Sequence, residues 1–200
     1  MKKLLFLLFA WCIAVVATAQ QKARVYAVGF YNQENLFDTC HDVGKKDYDF
    51  LPSGSYKWDG LKYGHKLRNM ARALADMGTD VLPHVGCAVI GLSEVENRRV
   101  LEDLVQQQPL AERGYAFAHI EGPDRRGIDC ALLYNPQLFT KQTERLIPYV
   151  MREAKDSAFY TRGFFTVTGE LAGEPVAFIV CHLPSRFSGS SYREWGATQV

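Results

Sequence analysis

Asn32, Glu34, Glu94, Asp129 and His182 bring an amide, three carboxylates and an imidazole to the ends of separate apolar stretches. Asn32 and Glu34 follow the first such stretch, in Phe30-Tyr31-Asn32-Gln33-Glu34-Asn35-Leu36-Phe37-Asp38. Glu94 ends Ala88-Val89-Ile90-Gly91-Leu92-Ser93, Asp129 opens Cys130-Ala131-Leu132-Leu133, and His182 closes Phe178-Ile179-Val180-Cys181. An unpaired carboxylate costs several kcal/mol to remove from water, so acids gathered at apolar termini call for a cation or a shared proton. A hard divalent ion is the simplest partner for such oxygens. The imidazole of His182 is suited to moving a proton near neutral pH, and Arg186, four residues beyond it, could fork onto an anion.

Taken singly, each of these residues also has a structural explanation. Glu94 could be a solvated strand end, with Asn97 capping the next helix. His182 could be a hydrogen-bonded core histidine, Asp129 an ion-pair partner of Arg125 or Arg126, and Asn32 a turn residue. Arg186 could be a solvated loop cation, and His41, His65, His84 and His119 are read as structural. What distinguishes the set is its order along the chain and the local context of each member.

The elements that must position them can be read from the 200-residue chain, whose 48% apolar and 12% aromatic content is enough to build a core. Lys2-Lys3, the apolar run Leu4 to Ala17 and the small-residue close Ala17-Thr18-Ala19 predict a signal peptide, residues 1–19, cleaved after Ala19. The mature protein is therefore expected to be secreted or periplasmic, a monomer, with no stable membrane span. Losing Lys2 and Lys3 moves the formal charge from +1 to −1, which argues against a broadly basic surface that coats nucleic acid. None of the remaining cysteines has Cys-x-x-Cys spacing, and Cys40 is left open as a bridge partner.

Residues 20–200 read as one continuous unit. Strands are predicted at Arg24 to Tyr31, Val85 to Leu92, Tyr115 to Ile120, Ile128 to Tyr134, Glu144 to Met151, Gly163 to Leu171 and Pro175 to Leu183. Leu67, Met70, Ala71, Leu74 and Met77 recur at helical spacing over roughly Tyr63 to Met77, and Val100 to Val105 predicts a second helix ended by Pro109. Ser191 to Val200 reads as the opening of another helix. In Ile128 to Tyr134 and in Val176 to Leu183 both alternating residue sets are apolar, so both strands are expected to be buried on two faces. Stacked sheets covered by helices, a layered α/β sandwich, is the economical architecture. The long loop Thr39 to Gly60 carries Tyr48, Tyr56, Lys57 and Trp58, which could stack bases or contact lipid but are expected mainly to pack the loop onto the domain.

Asn32-x-Glu34-Asn35-Leu36-Phe37-Asp38, Gly91-Leu92-Ser93-Glu94-Val95-Glu96-Asn97, Arg126-Gly127-Ile128-Asp129 and His182-Leu183-Pro184-Ser185-Arg186 resemble four successive blocks of the endonuclease/exonuclease/phosphatase superfamily. They closely resemble those of a secreted bacterial branch, and the resemblance runs from about Val25 to the end of the chain. It implies an α/β (α+β) fold, a four-layer α/β/β/α sandwich of two mixed sheets. It also implies metal-dependent hydrolysis of a phosphate ester, of phosphodiesterase, nuclease or phosphatase type. By that likeness Glu94 is the principal Mg2+ ligand, with Mn2+ as a substitute, and Glu34 stands where some relatives place a second metal-binding acid. Asn32 would orient the phosphate or a neighbouring catalytic group, His182 would act near the scissile phosphate, and Asp129 would orient His182 or a substrate group. The family's later Gly-Asp-x-Asn and Ser-Asp-His elements do not occur in this sequence. The chain is therefore expected to be the N-terminal part of one domain, incomplete at its C-terminus and inactive by itself. The substrate classes left open are nucleic acid, a lipid head group and a sugar phosphate; the competing function is a non-catalytic exported binding or scaffold domain.

Overall fold

The computed structural model describes residues 24–150, 161–186 and 189–200. The predicted signal segment lies outside them. Strands β1 (Ala27–Leu36), β2 (Cys87–Val95), β3 (Ala116–His119) and β4 (Asp129–Tyr134) form one sheet in the order β1-β2-β4-β3. β1 and β2 run parallel and the other pairings are antiparallel, so the sheet is mixed. Strands β5 (Phe139–Ile147), β6 (Phe164–Leu171) and β7 (Glu174–Val180) form a second, antiparallel sheet. Helices α1 (Gly60–Asp76), α2 (Arg98–Val105) and α3 (Gln108–Arg113) cover the first sheet, and α4 (Ser190–Ala197) lies against Tyr149 and Leu183 at the end of the second.

Side-chain parity divides the core in two. Ala131 and Leu133 join Ile90, Leu92, Leu74 and Leu104 under the helices. Cys130 and Leu132 join Phe139, Phe165, Val167 and Val180 between the sheets. β4 is thus buried on both faces, as its apolar pattern predicts. A Cβ added at Gly91 would stand 3.2 Å from Val180 and 3.3 Å from Phe30, so this glycine lets β2 lie close beneath the second sheet.

The same two-faced pattern misleads in β7. Val176, Phe178 and Val180 face the inter-sheet core, but Ala177 is exposed and Ile179 is 45% exposed. β7 is the last strand of its sheet among the described residues, and its outer face carries no covering layer there. Two further boundaries differ from expectation. The strand placed at Glu144 starts at Phe139, and Pro109 opens α3 rather than ending the previous segment, because a first-turn proline loses no helical hydrogen bond. The β6–β7 hairpin closes through Ala172 (φ 58°) and Gly173 (φ 86°), the paired positive φ values that suit a two-residue turn.

The long loop does pack on the domain through Phe50, which stacks on Phe37 with ring centroids 4.1 Å apart, and through Trp58, whose Nε1 donates to the Phe37 carbonyl. Tyr48 and Tyr56 stay largely exposed. Cys40, Cys87, Cys130 and Cys181 are free thiols. Among the described residues no helix is long and apolar enough to cross a membrane.

Candidate functional site

The first sheet loses its regular register where the polar residues begin. The β1–β2 ladder shifts between Asn32 and Leu36, and the β2–β4 ladder shifts between Ser93 and Val95. Glu34 (φ 51°), Asn35 (φ 61°) and Glu94 (φ 60°) sit in the left-handed region inside these irregularities. Side chains bearing a Cβ rarely occupy that region, and such strain collects where a fold must re-aim a functional group. The distortion turns the Asn35 backbone N–H toward Glu94, donating to Oε2 at 2.9 Å. Asn32 Oδ1 accepts the Glu34 N–H at 2.7 Å, so the Asn32 carbonyl oxygen is committed to the turn.

His182 follows β7, and its Nε2 lies 3.4 Å from Glu94 Oε1. Burial and the neighbouring Arg162 guanidinium lower its pKa to about 4, against the opposing pull of Glu94, so the imidazole is neutral at pH 7. Its Nδ1 is buried with no hydrogen-bond partner among the described residues. Lys66, on α1, donates from Nζ to the Glu34 carbonyl at 2.6 Å, and its charge is stabilised by both the Glu34 and Glu94 carboxylates. Burial nevertheless pulls the Lys66 pKa below its ordinary value. Glu34 itself is exposed at the rim.

Glu94, Glu34, Asn32 and His182 are therefore brought to one neighbourhood from β1, β2 and the end of β7. Asp129 goes elsewhere. It shares the parity of Ala131 and Leu133, and its Oδ2 lies 3.4 Å from His119 Nε2, while its Oδ1 accepts the Gly122 N–H at 3.0 Å. The expected contact between Asp129 and His182 is not made, because Cys130, of opposite parity, is the β4 residue lying against the His182 backbone. The ion pair with Arg126 is not formed by Asp129 either; Arg126 Nε lies 3.9 Å from Asp124. Arg186 is exposed beyond Pro184. Asn97 does cap α2, accepting the Val100 N–H at 3.1 Å, without taking Glu94 out of the site.

Three residues of this neighbourhood escaped the sequence reading: Lys66, Arg162 and Asp124. Arg162 did carry a signal, a cation abutting the apolar run from Phe164, but Lys66 looks like any polar position of an amphipathic helix.

No group of three or more His, Cys, Asp or Glu side chains able to hold a metal occurs among the described residues. The Glu94 carboxylate is mostly buried and the Glu34 carboxylate exposed, and both act on Lys66. Such a pair suits Mg2+, which binds through one or two carboxylates and keeps much of its water.

A second acidic group lies beside the site and is internally satisfied. Asp38 pairs with Arg99 at 2.9 Å and Asn97 bridges toward Asp42, while Asp47 pairs with His41. Glu96 is 2% exposed, and burial, with Asp38, Asp42 and Asp47 close by, raises its pKa from 4.5 to about 8. A raised carboxyl pKa favours the native state while the group stays protonated in both states. Glu96 therefore contributes full stability below about pH 4.5, and that contribution is lost as pH climbs through about 8. In EDTA, wild-type unfolding free energy is expected to drop by about 3 kcal/mol between pH 5 and 8 relative to Glu96→Gln. Urea melts at the two pH values measure this, and parallel pH dependences would remove Glu96 as the cause.

The profile described as Endonuclease/Exonuclease/phosphatase family matches residues 27–195. No curated protein matches the sequence. Among solved structures, TDP2 from Caenorhabditis elegans is similar at 17% identity and a TM-score of 0.44, covering 70% of this chain and 37% of that one. ANGEL2, described as a 2',3'-cyclic phosphatase, is similar at 12% identity and a TM-score of 0.46, covering 64% of this chain and 35% of its own. SmcL is similar at 15% identity and a TM-score of 0.49, covering 87% and 55%. The chain thus spans between about a third and just over half of each of these structures. With the family profile running from the first strand into the last helix, the chain belongs to the endonuclease/exonuclease/phosphatase family.

Proposed function

We propose that the natural protein containing this chain is an exported, Mg2+-dependent phosphoesterase, and that these residues supply its principal metal ligand and one imidazole. The observation that carries the reading is Glu94. It is held in a left-handed backbone conformation with one carboxylate oxygen fixed by Asn35 N–H and the other facing the neutral His182 ring. A fold that spends backbone strain to aim one half-buried acid at one imidazole has a use for both.

Glu94 and Glu34 would hold Mg2+, whose chemistry when bound is to neutralise charge on phosphoryl oxygens. Asn32, with its carbonyl oxygen committed to Glu34 N–H, presents its amide NH2 as a donor to a phosphate oxygen. His182, neutral at pH 7, can donate or accept at Nε2 beside the reacting ester. Lys66 secures the Glu34 turn through its carbonyl and offsets the two carboxylates. Arg186, on the exposed rim, is a candidate contact for a substrate phosphate. The signal segment at residues 1–19 supports export, and a phosphate ester of nucleic acid, lipid head group or sugar is the substrate class.

The test is hydrolysis of bis(p-nitrophenyl) phosphate and p-nitrophenyl phosphate by the full natural polypeptide with Mg2+, with EDTA, and after Mg2+ is restored. Activity is expected to vanish in EDTA and return with Mg2+. Turnover indifferent to the chelator contradicts the metal reading; no turnover under any condition favours a non-catalytic binding domain.

A further inference from the structure

His182 Nδ1 has no hydrogen-bond partner among the described residues, so on that side no described side chain fixes the ring, and the backbone that carries it matters the more. That backbone lies just past the point where the β6–β7 ladder ends, at the pair Phe165–Val180. Beyond it, the carbonyls of His182 and Leu183 are taken by one side chain. Arg162 Nε donates to the His182 carbonyl at 2.8 Å and a terminal nitrogen donates to the Leu183 carbonyl at 3.2 Å. The remaining terminal nitrogen donates to Asp124 Oδ2 at 3.0 Å. Both partners of this ion pair are buried, with side chains 6% and 7% exposed.

The pair is itself anchored from several directions. Asp124 Oδ1 accepts the Arg126 N–H, and Lys45 Nζ donates to the Gly122 and Asp124 carbonyls. Gly122 N–H is in turn held by Asp129. On the other side, a Cβ added at Gly163 would stand 2.3 Å from the Ile147 carbonyl, so β6 is seated tightly against β5 right beside Arg162. A buried ion pair is rarely a gain in stability over apolar packing, which makes a geometric use for it the more economical explanation.

We propose that Arg162, locked by Asp124, is a positioning residue that fixes the His182–Leu183 backbone and thereby aims the His182 ring, whose Nδ1 has no partner among the described residues, at Glu94. The planar fork is essential, since three acceptors in different directions are served by one guanidinium; a lysine keeps the charge and loses the fork.

The inference rests on the phosphoesterase reading for its kinetic consequence, though not for its structural one. In the full natural polypeptide with saturating Mg2+, Arg162→Gln and Asp124→Asn are each expected to lower kcat on bis(p-nitrophenyl) phosphate by about 10- to 100-fold, with KM nearly unchanged. Arg162→Lys is expected not to restore kcat, and the double variant to be little worse than either single one. A rise in KM at unchanged kcat, full rescue by lysine, or additive losses would overturn the clamp. Histidine-selective NMR at constant pH reads the structure without activity. The His182 ring signal is expected to move in both single variants while that of exposed His84 stays put. Should Arg162→Gln not fold, Asp124→Asn, which keeps an acceptor oxygen, carries the test. An unmoved His182 signal defeats the clamp, whereas a moved signal in a protein that hydrolyses no ester defeats the phosphoesterase reading alone.

Discussion

Glu94→Gln in the full natural polypeptide is expected to lower kcat/KM on bis(p-nitrophenyl) phosphate by about 10²- to 10³-fold, the scale of losing one preorganised charge interaction at the reacting phosphate. The substitution is nearly isosteric. Its amide oxygen can still accept the Asn35 N–H, so the bulge that places residue 94 should survive. What disappears is the negative charge that a hard cation needs, and a neutral amide is a poor replacement for it. The loss should be accompanied by a Mg2+ requirement shifted to higher concentration, measured by titrating activity against the metal. Glu94→Gln should also relieve part of the burial cost of a mostly buried carboxylate, so its melting temperature is expected to hold or rise. Undiminished activity, or a variant whose thermal unfolding shows that it has merely collapsed, would disconnect Glu94 from the chemistry.

His182→Ala is expected to cost about 10²- to 10⁴-fold in kcat, the range for removing a positioned proton-transfer group. Because Nδ1 makes no hydrogen bond among the described residues, truncation removes no stabilising side-chain bond there. Global stability should therefore change only by the lost packing and the lost contact of Nε2 with Glu94 Oε1. His182→Asn supplies the comparison: it keeps a donor near Glu94 without the ring's acid–base capacity. If proton movement is the role, asparagine and alanine should be equally poor; if His182 only donates a hydrogen bond to the ester, asparagine should recover part of kcat. Wild-type rates in both variants would leave the imidazole without a part in the reaction.

Much of the framework was legible because it depends on local pattern. The apolar residues of β2 and of β4 occupy both alternating sets, so burial on two faces, and hence a layered α/β fold, can be read without knowing any contact. The helical spacing of Leu67, Ala71 and Leu74 likewise announces the face that α1 buries. β7 shows the limit of that reading. Its pattern resembles that of β4, yet Ile179 is exposed, because whether a second apolar face is covered depends on what lies over it and not on the strand.

The acids, the amide and the histidine at the strand ends were likewise open to inspection, as was Asn97 as a helix cap, because residue type and position along an element are properties of the chain itself. Their partners were not. Glu94 meets the Asn35 backbone, His182 and the field of Lys66 only because two neighbouring strands kink at non-glycine residues with positive φ, which no composition signal marks. Asp129 faces His119 because one step of parity separates it from Cys130, and Arg162 reaches across 38 residues of sequence to Asp124. Periodicity reports which side of an element is apolar, a short-range matter. Which polar groups end up facing each other depends on sheet register, bulges and the crossing of two layers, and those are set by the packing of the whole core.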